Sequence, residues 1–224
     1  MLADLLDRLE ARYGALAAAG PDEPYRLLIW LNCGYPASDA ACAKGFASLQ
    51  AAIGLAPAAI LGANEAALAE ALRPGGMVPE LRAQRLKTIA ARAGELDNLL
   101  GAIEDSRRGL TSFATIGEAA ADRILLFCGL ALLAVAPSGA LHVPLRLGYG
   151  TEHKDWGKTY ASVRDSLAAE LPMDFQARQR AYLLLKAHGQ ATCKATRPRC
   201  ADCPLTAACG YFQAVAAPAA LSPG

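Results

Sequence analysis

Cys193-Lys194-Ala195-Thr196-Arg197-Pro198-Arg199-Cys200-Ala201-Asp202-Cys203-Pro204-Leu205-Thr206-Ala207-Ala208-Cys209 holds four of the seven cysteines of this 224-residue chain. The spacing is C-x6-C-x2-C-x5-C. The residues between the thiols are too polar and irregular to fold alone, and metal ligation explains why the thiols are gathered there. Disulfides fit poorly. The first residues mix acids into the apolar positions and read as no export signal, so the expected compartment keeps thiols reduced. Zinc sites favour two close C-x2-4-C pairs, and here only Cys200 and Cys203 are close. The spacing also differs from both ferredoxin patterns.

Outward from this loop, composition bounds the fold. With 54% hydrophobic residues the chain can bury a substantial core, as one large or two small domains. Alanine and leucine dominate, aromatic residues make up only 6%, and β-branched runs are scarce, which predicts an all-α protein. The net charge of +1 announces no nucleic-acid partner. Its distribution says more, because residues 138–224 carry ten Lys/Arg against six Asp/Glu. The basic surplus therefore sits on the half with the cysteines. The longest apolar run, 124–136, has 13 residues and contains a glycine, so no membrane span is expected.

Along the chain, leucines at i, i+3 and i+4 predict an amphipathic helix over the first twenty residues, closed by Gly20-Pro21. An apolar helix over 25–32 belongs to the core. Ser38 and Asp39 are capping candidates for the next one. Short helices follow Pro57 and Asn64, and Pro79 opens a helix bearing Arg82, Arg85, Lys87 and Arg92. Those cations read as a solvated face, with a DNA-facing surface as the alternative. Another helix is expected over 96–104. Then come a short helix over 107–112, the turn Phe113-Ala114-Thr115-Ile116-Gly117, and a helix over 118–127. In such a unit the backbone N–H groups of Thr115, Ile116 and Gly117 and the second helix's N-terminus can hold a DNA phosphate. Three more helices, 141–147, 159–171 and 175–188, precede the cysteine loop. His142 and His153 read as surface or packing residues, and Cys33, Cys42 and Cys128 as core thiols.

Taken together, these stretches resemble endonuclease III and its helix-hairpin-helix–GPD superfamily over most of the chain. The cysteine spacing matches that family's iron–sulfur loop gap for gap. Residues 181–211, with His188-Gly189 and Pro198-Arg199-Cys200, look like the family's end. Phe113 to Gly117 is similar to its L-P-G-V-G hairpin. Val143-Pro144-Leu145-Arg146-Leu147-Gly148 looks like its R-V-x-R-R-L-G segment. Ser38-Asp39 and Lys44 resemble its early A-T-D-x-x-x-x-K stretch. The resemblance implies a six-helix barrel over 22–136 carrying the hairpin. It also implies an iron–sulfur domain built from 1–21 and 137–212, a DNA groove between the two, and a disordered tail over 213–224. It implies a [4Fe–4S] cluster on Cys193, Cys200, Cys203 and Cys209, with zinc the alternative. Lys194, Arg197 and Arg199 fall where the family contacts DNA phosphates. The partner it implies is double-stranded DNA, damaged or distorted, bound by a monomer in the cytoplasm at the nucleoid.

The departures bear on chemistry. The family's attacking lysine lies two residues after the hairpin's last glycine, where this chain has Ala119. Its aspartate aligns with Pro137, its first hairpin glycine with Thr115 and its wedge glutamine with Pro36. Asp122 and Glu118 are the nearby carboxylates that could substitute. The implied function is a base-excision DNA repair protein whose glycosylase and lyase activity is weak, narrow or lost. The alternative is a non-catalytic DNA-structure-binding protein, or an iron–sulfur scaffold acting through protein partners.

Overall fold

A computed structural model of the chain describes residues 1–36, 38–98 and 103–216. The chain is all-α: α1 (Leu2–Tyr13), α2 (Pro24–Asn32), α3 (Asp39–Ala52), α4 (Pro57–Gly62), α5 (Glu65–Leu72), α6 (Pro79–Ala91), α7 (Ile103–Thr111), α8 (Glu118–Phe127), α9 (His142–Arg146), α10 (Trp156–Glu170) and α11 (Phe175–Ala191). Among the described residues the one β-type pairing is an isolated bridge between Tyr35 and Gly76. No helix there is long and apolar enough to cross a membrane. The chain divides into two compact units, Ala19–Ala131 and Met1–Ala18 with Leu132–Gly224.

Unit Ala19–Ala131 is built on α2. Glu23 caps it by accepting from the amides of Tyr25 and Arg26, and Pro24 supplies a pre-set φ in its first turn. Leu27, Leu28, Ile29 and Trp30 are all buried, as an all-round apolar helix requires. Ser38 caps α3 through the Ala41 amide, and Asn64 caps α5 through that of Ala67. The basic face expected on α6 is only partly a surface. Arg82 is 1% exposed, and its guanidinium donates to the carbonyls of Cys33, Gly76 and Met77 at 2.6, 2.7 and 3.0 Å. It is a clamp between two loops, and periodicity cannot distinguish it from a solvated arginine. Those loops leave no space for side chains: a Cβ on Gly75 would sit 1.9 Å from the Cys33 carbonyl oxygen. The expected helix over 96–104 is instead a 3-10 turn, Ala93–Asn98, and the start of α7. Its middle, 99–102, lies outside the described residues.

The second unit joins the N-terminal helix to the C-terminal third. Leu2, Leu5, Leu6 and Leu9 are buried on one face of α1, which packs on α10 and α11. Burying four leucines is worth roughly 6–12 kcal/mol of transfer free energy before chain entropy is charged. At its end Arg180 of α11 reaches Asp7 at 2.7 Å and Glu10 at 2.6 Å. The helix stops at Tyr13, short of the expected Gly20, because Gly14 takes φ +74° and turns the chain. Leu16 had extended the apolar pattern, and it is 37% exposed. Asp155 caps α10 through the Lys158 amide, so that helix starts three residues before the expected 159. Of the tail expected to be unstructured, Phe212–Ala216 forms a π-helical turn, and 217–224 lies outside the described residues.

Candidate metal centre and hairpin

The cysteine loop begins where α11 ends. The His188 carbonyl takes the amides of both Thr192 and Cys193, and the Thr192 carbonyl takes those of Lys194 and Arg199. The last bond closes the six-residue span between the first two thiols into a ring. Arg197 completes it with φ +54°, a left-handed turn. Cys200–Asp202 and Thr206–Ala208 form single 3-10 turns, and Leu205 between them is fully buried. Lys194, Arg197 and Arg199 are all exposed around the ring.

Cys193, Cys200, Cys203 and Cys209 line one pocket, together with Arg146 and His188. Burial pushes the Cys193 and Cys203 thiols up, and the neighbouring thiols push further the same way. Hydrogen-bond donors oppose this. Arg146 Nη1 stands 3.3 Å from Cys193 Sγ, and the Leu205 amide 3.4 Å from Cys203 Sγ. Among the described residues, no three Cys, His, Asp or Glu side chains are gathered closely enough to hold a single metal ion. The four thiols share a pocket rather than a point.

Two residues that the motif reading quoted without giving them a role, Arg146 and His188, organise this pocket. Arg146, at the end of α9, donates to the carbonyls of Lys194 (2.8 Å) and Ala195 (2.9 Å) and lies over the Tyr211 ring at 4.2 Å. It therefore ties the first thiol, the basic ring and the segment after the last thiol together. Its signal was present in the Val143 to Gly148 stretch, though without a role. His188 is 2% exposed, and its ring nitrogens meet Tyr13 Oη at 2.9 Å and Cys203 Sγ at 3.6 Å. Burial, with His142 nearby, pushes His188 down to about 4. His142 itself donates from Nε2 to the Cys193 carbonyl, a packing role.

The hairpin in the other unit is a tight turn between α7 and α8. Thr115 has φ +73°, a conformation that suits glycine and strains a β-branched residue. Its Oγ1 donates to Oδ1 of Asn32 at 3.0 Å, and Asn32 is 3% exposed. Phe113 and Ile116 anchor the turn in the core, and Arg92 lies over the Phe113 ring at 4.1 Å. Gly117 is the N-cap of α8, with no side chain to occupy the first amides. The Ile116 amide, expected to face a phosphate, donates instead to the Phe113 carbonyl at 3.2 Å, while the exposed start of α8 leaves first-turn N–H groups that suit an anion.

No family sequence profile and no curated protein matches the chain. Solved structures do. An endonuclease III–DNA covalent intermediate is 20% identical, with 93% of each chain covered and a TM-score of 0.71. A thermostable thymine-DNA glycosylase is 15% identical over 95% of this chain and 94% of that one, also at 0.71. The 8-oxoguanine DNA glycosylase of Thermotoga maritima is 24% identical over 86% and 89%, at 0.54. The chain has the endonuclease III-like fold.

The two residues that the sequence resemblance sets against the family's lysine and aspartate, Ala119 and Pro137, carry no reactive group. Ala119 is the second residue of α8 and 6% exposed, and Pro137 is also buried. Asp122, three residues on, is fully buried, and its Oδ1 takes a 2.7 Å hydrogen bond from Arg107 Nε. Glu118 is half-buried in the first turn of α8. Pro36 follows Tyr35 in the loop that Arg82 clamps.

Proposed function

We propose that this is a base-excision-type DNA repair protein that binds damaged or distorted duplex DNA as a monomer. Its cysteine loop would hold a [4Fe–4S] cluster, and its glycosylase and lyase chemistry is weak, narrow or lost. The observation that carries the reading is the ring of Lys194, Arg197 and Arg199 built on the four-thiol pocket. Three exposed cations on a closed loop suit DNA phosphates, whose binding is salt-sensitive and independent of sequence. The hairpin amides at the start of α8 supply a second phosphate contact.

The donor set fits the cluster. Four thiolates in a half-buried pocket are costly without positive charge, and a bound metal supplies it. Donors already stand at Cys193 and Cys203, as iron–sulfur ligands require of their surroundings. When bound, the cluster would brace the loop covalently at four points. Arg146 orients Cys193, and Leu205 does the same for Cys203.

The state of Asp122 favours the non-catalytic reading over residual chemistry. A carboxylate held by Arg107 with no exposure acts as a staple between α7 and α8, not as a base for a sugar. Removing a nucleophile or its partner in enzymes costs on the order of 10³–10⁶ in rate. Iron-loaded protein incubated with duplexes carrying thymine glycol, an abasic site, uracil or 8-oxoguanine tests this directly. Salt-dependent duplex binding with no borohydride-trapped adduct is expected. A trapped adduct overturns the loss of the Schiff-base nucleophile. Absent binding, or binding indifferent to salt, overturns the DNA-contact reading, and zinc without iron overturns the cluster.

A further inference from the structure

We propose that Tyr13 and His188 form a hydrogen-bonded relay that aims an N–H at Cys203 and tunes how strongly that ligand donates electrons to the cluster. This rests on reading the four thiolates as cluster ligands. The relay is continuous: Cys203 Sγ lies 3.6 Å from His188 Nε2, His188 Nδ1 lies 2.9 Å from Tyr13 Oη, and Tyr13 Oη lies 2.8 Å from Thr192 Oγ1. His188 is 2% exposed and Thr192 5%, so both are shielded from bulk solvent.

The ligand sets the direction of the whole chain. A thiolate can only accept, and a neutral imidazole carries one N–H. A proton on Nδ1 would turn the Nε2 lone pair against the sulfur. With the proton on Nε2, it donates to Cys203, Nδ1 accepts from the Tyr13 hydroxyl, and the Tyr13 oxygen accepts from Thr192. Each donor then meets an acceptor. Tyr13 thereby fixes the tautomer as a carboxylate does for a metal-bound histidine, one shell further out. Tyr13 is the last residue of α1, so the N-terminal helix contributes to the metal centre through 175 residues of sequence separation. Thr192, at the other end, is the residue whose carbonyl closes the basic ring.

A hydrogen bond to a ligand sulfur withdraws electron density and stabilises the reduced cluster, and such bonds are one setting of iron–sulfur potentials. Tyr13 and His188 are positioning residues here, and a packing role alone would leave the potential unmoved. The test is the midpoint potential and the iron–thiolate stretching frequencies of the full, iron-loaded chain. His188→Leu is expected to shift the potential negative, and His188→Gln, which can return an N–H towards Cys203, to recover most of the shift. Tyr13→Phe keeps the ring and should give a smaller negative shift. If His188→Leu loses iron, the comparison of Tyr13→Phe with wild type decides. Unchanged potential and frequencies in Tyr13→Phe, or a His188→Gln protein no different from a correctly loaded His188→Leu, overturn the relay. Wild-type protein carrying zinc and no iron instead overturns the cluster reading beneath it.

Discussion

The cysteine loop is held by its side chains, whereas the hairpin is held by its main chain and by what lies beneath it. In the loop, four thiols, Arg146 and His188 converge on one pocket, and the backbone follows them. In the hairpin, Phe113 and Ile116 are buried, yet the residues that would face a ligand contribute only amides. The difference predicts that the two regions would tolerate substitution differently. If the four thiols hold the proposed cluster, their positions would admit no replacement, because each supplies one ligand sulfur. A turn that works through N–H groups accepts a threonine at a glycine-like φ, provided something offsets the strain. Of the two positions behind the proposed loss of chemistry, Ala119 belongs to the second region: a phosphate contact there would need no particular side chain, and chemistry would need one.

The largest effect should come from breaking the loop. Cys200→Ser removes one of the four proposed ligands and is expected to lose iron, with destabilisation on the order of 5 kcal/mol, the range seen when a metal site fails. Iron content and thermal unfolding measure it. Cys42→Ser lies outside the pocket, in the core of the other unit, and should leave the iron content unchanged. A Cys200→Ser protein with full iron and wild-type unfolding would erase the distinction between the regions.

Next in size is Asp122→Asn, which separates staple from catalyst. Arg107 would lose its buried charged partner and keep the exposed Glu104, at 3.3 Å. Removing one partner of a buried pair costs about 3–5 kcal/mol, and the remaining amide oxygen recovers part of that, leaving about 2–4 kcal/mol. Denaturant unfolding gives the number. Wild-type stability with altered DNA chemistry would make Asp122 a functional group after all.

Charge removal from the ring should cost less and show itself through salt. Lys194, Arg197 and Arg199 changed together to Gln are expected to weaken duplex binding roughly uniformly across sequences. The slope of log affinity against log salt should fall in magnitude by about 2 to 3, close to one phosphate per cation. Iron content should stay as in wild type, because none of the three side chains touches a thiol through a described hydrogen bond. An unchanged slope would assign the DNA contact elsewhere.

What sequence could and could not disclose follows the same division. Helices with side-chain caps were legible to within a few residues, because Ser38, Asn64 and Pro24 are local signals. The helix over 118–127 was read with its observed ends. Gly14 was missed as the end of α1, since Leu16 continued the apolar period past it. Arg82, Arg107 and His188 were not legible in their roles, because each acts on a partner distant in sequence or on backbone carbonyls. The Cys33 carbonyl that receives Arg82 lies 49 residues away, and no pattern within α6 points to it. The thiol spacing was legible as a candidate site because metal ligation, unlike a salt bridge, would fix residue type and interval together.

The smallest effect tests the hairpin's main-chain character most closely. A non-glycine residue in the left-handed region costs about 1–2 kcal/mol. The Thr115 hydroxyl offsets much of that by donating to buried Asn32, a bond worth about 1 kcal/mol net. Thr115→Gly relieves the strain and loses the bond, so its stability should lie within about 0.5 kcal/mol of wild type. Thr115→Val keeps the strain and leaves the Asn32 oxygen without this donor, and should cost about 1–2 kcal/mol. If the turn binds phosphate through its amides, Thr115→Gly should bind DNA as wild type does once stability is matched. A Thr115→Gly protein of unchanged stability that no longer binds would mean the hydroxyl itself contacts DNA. The hairpin would then depend on a side chain, as the cysteine loop does.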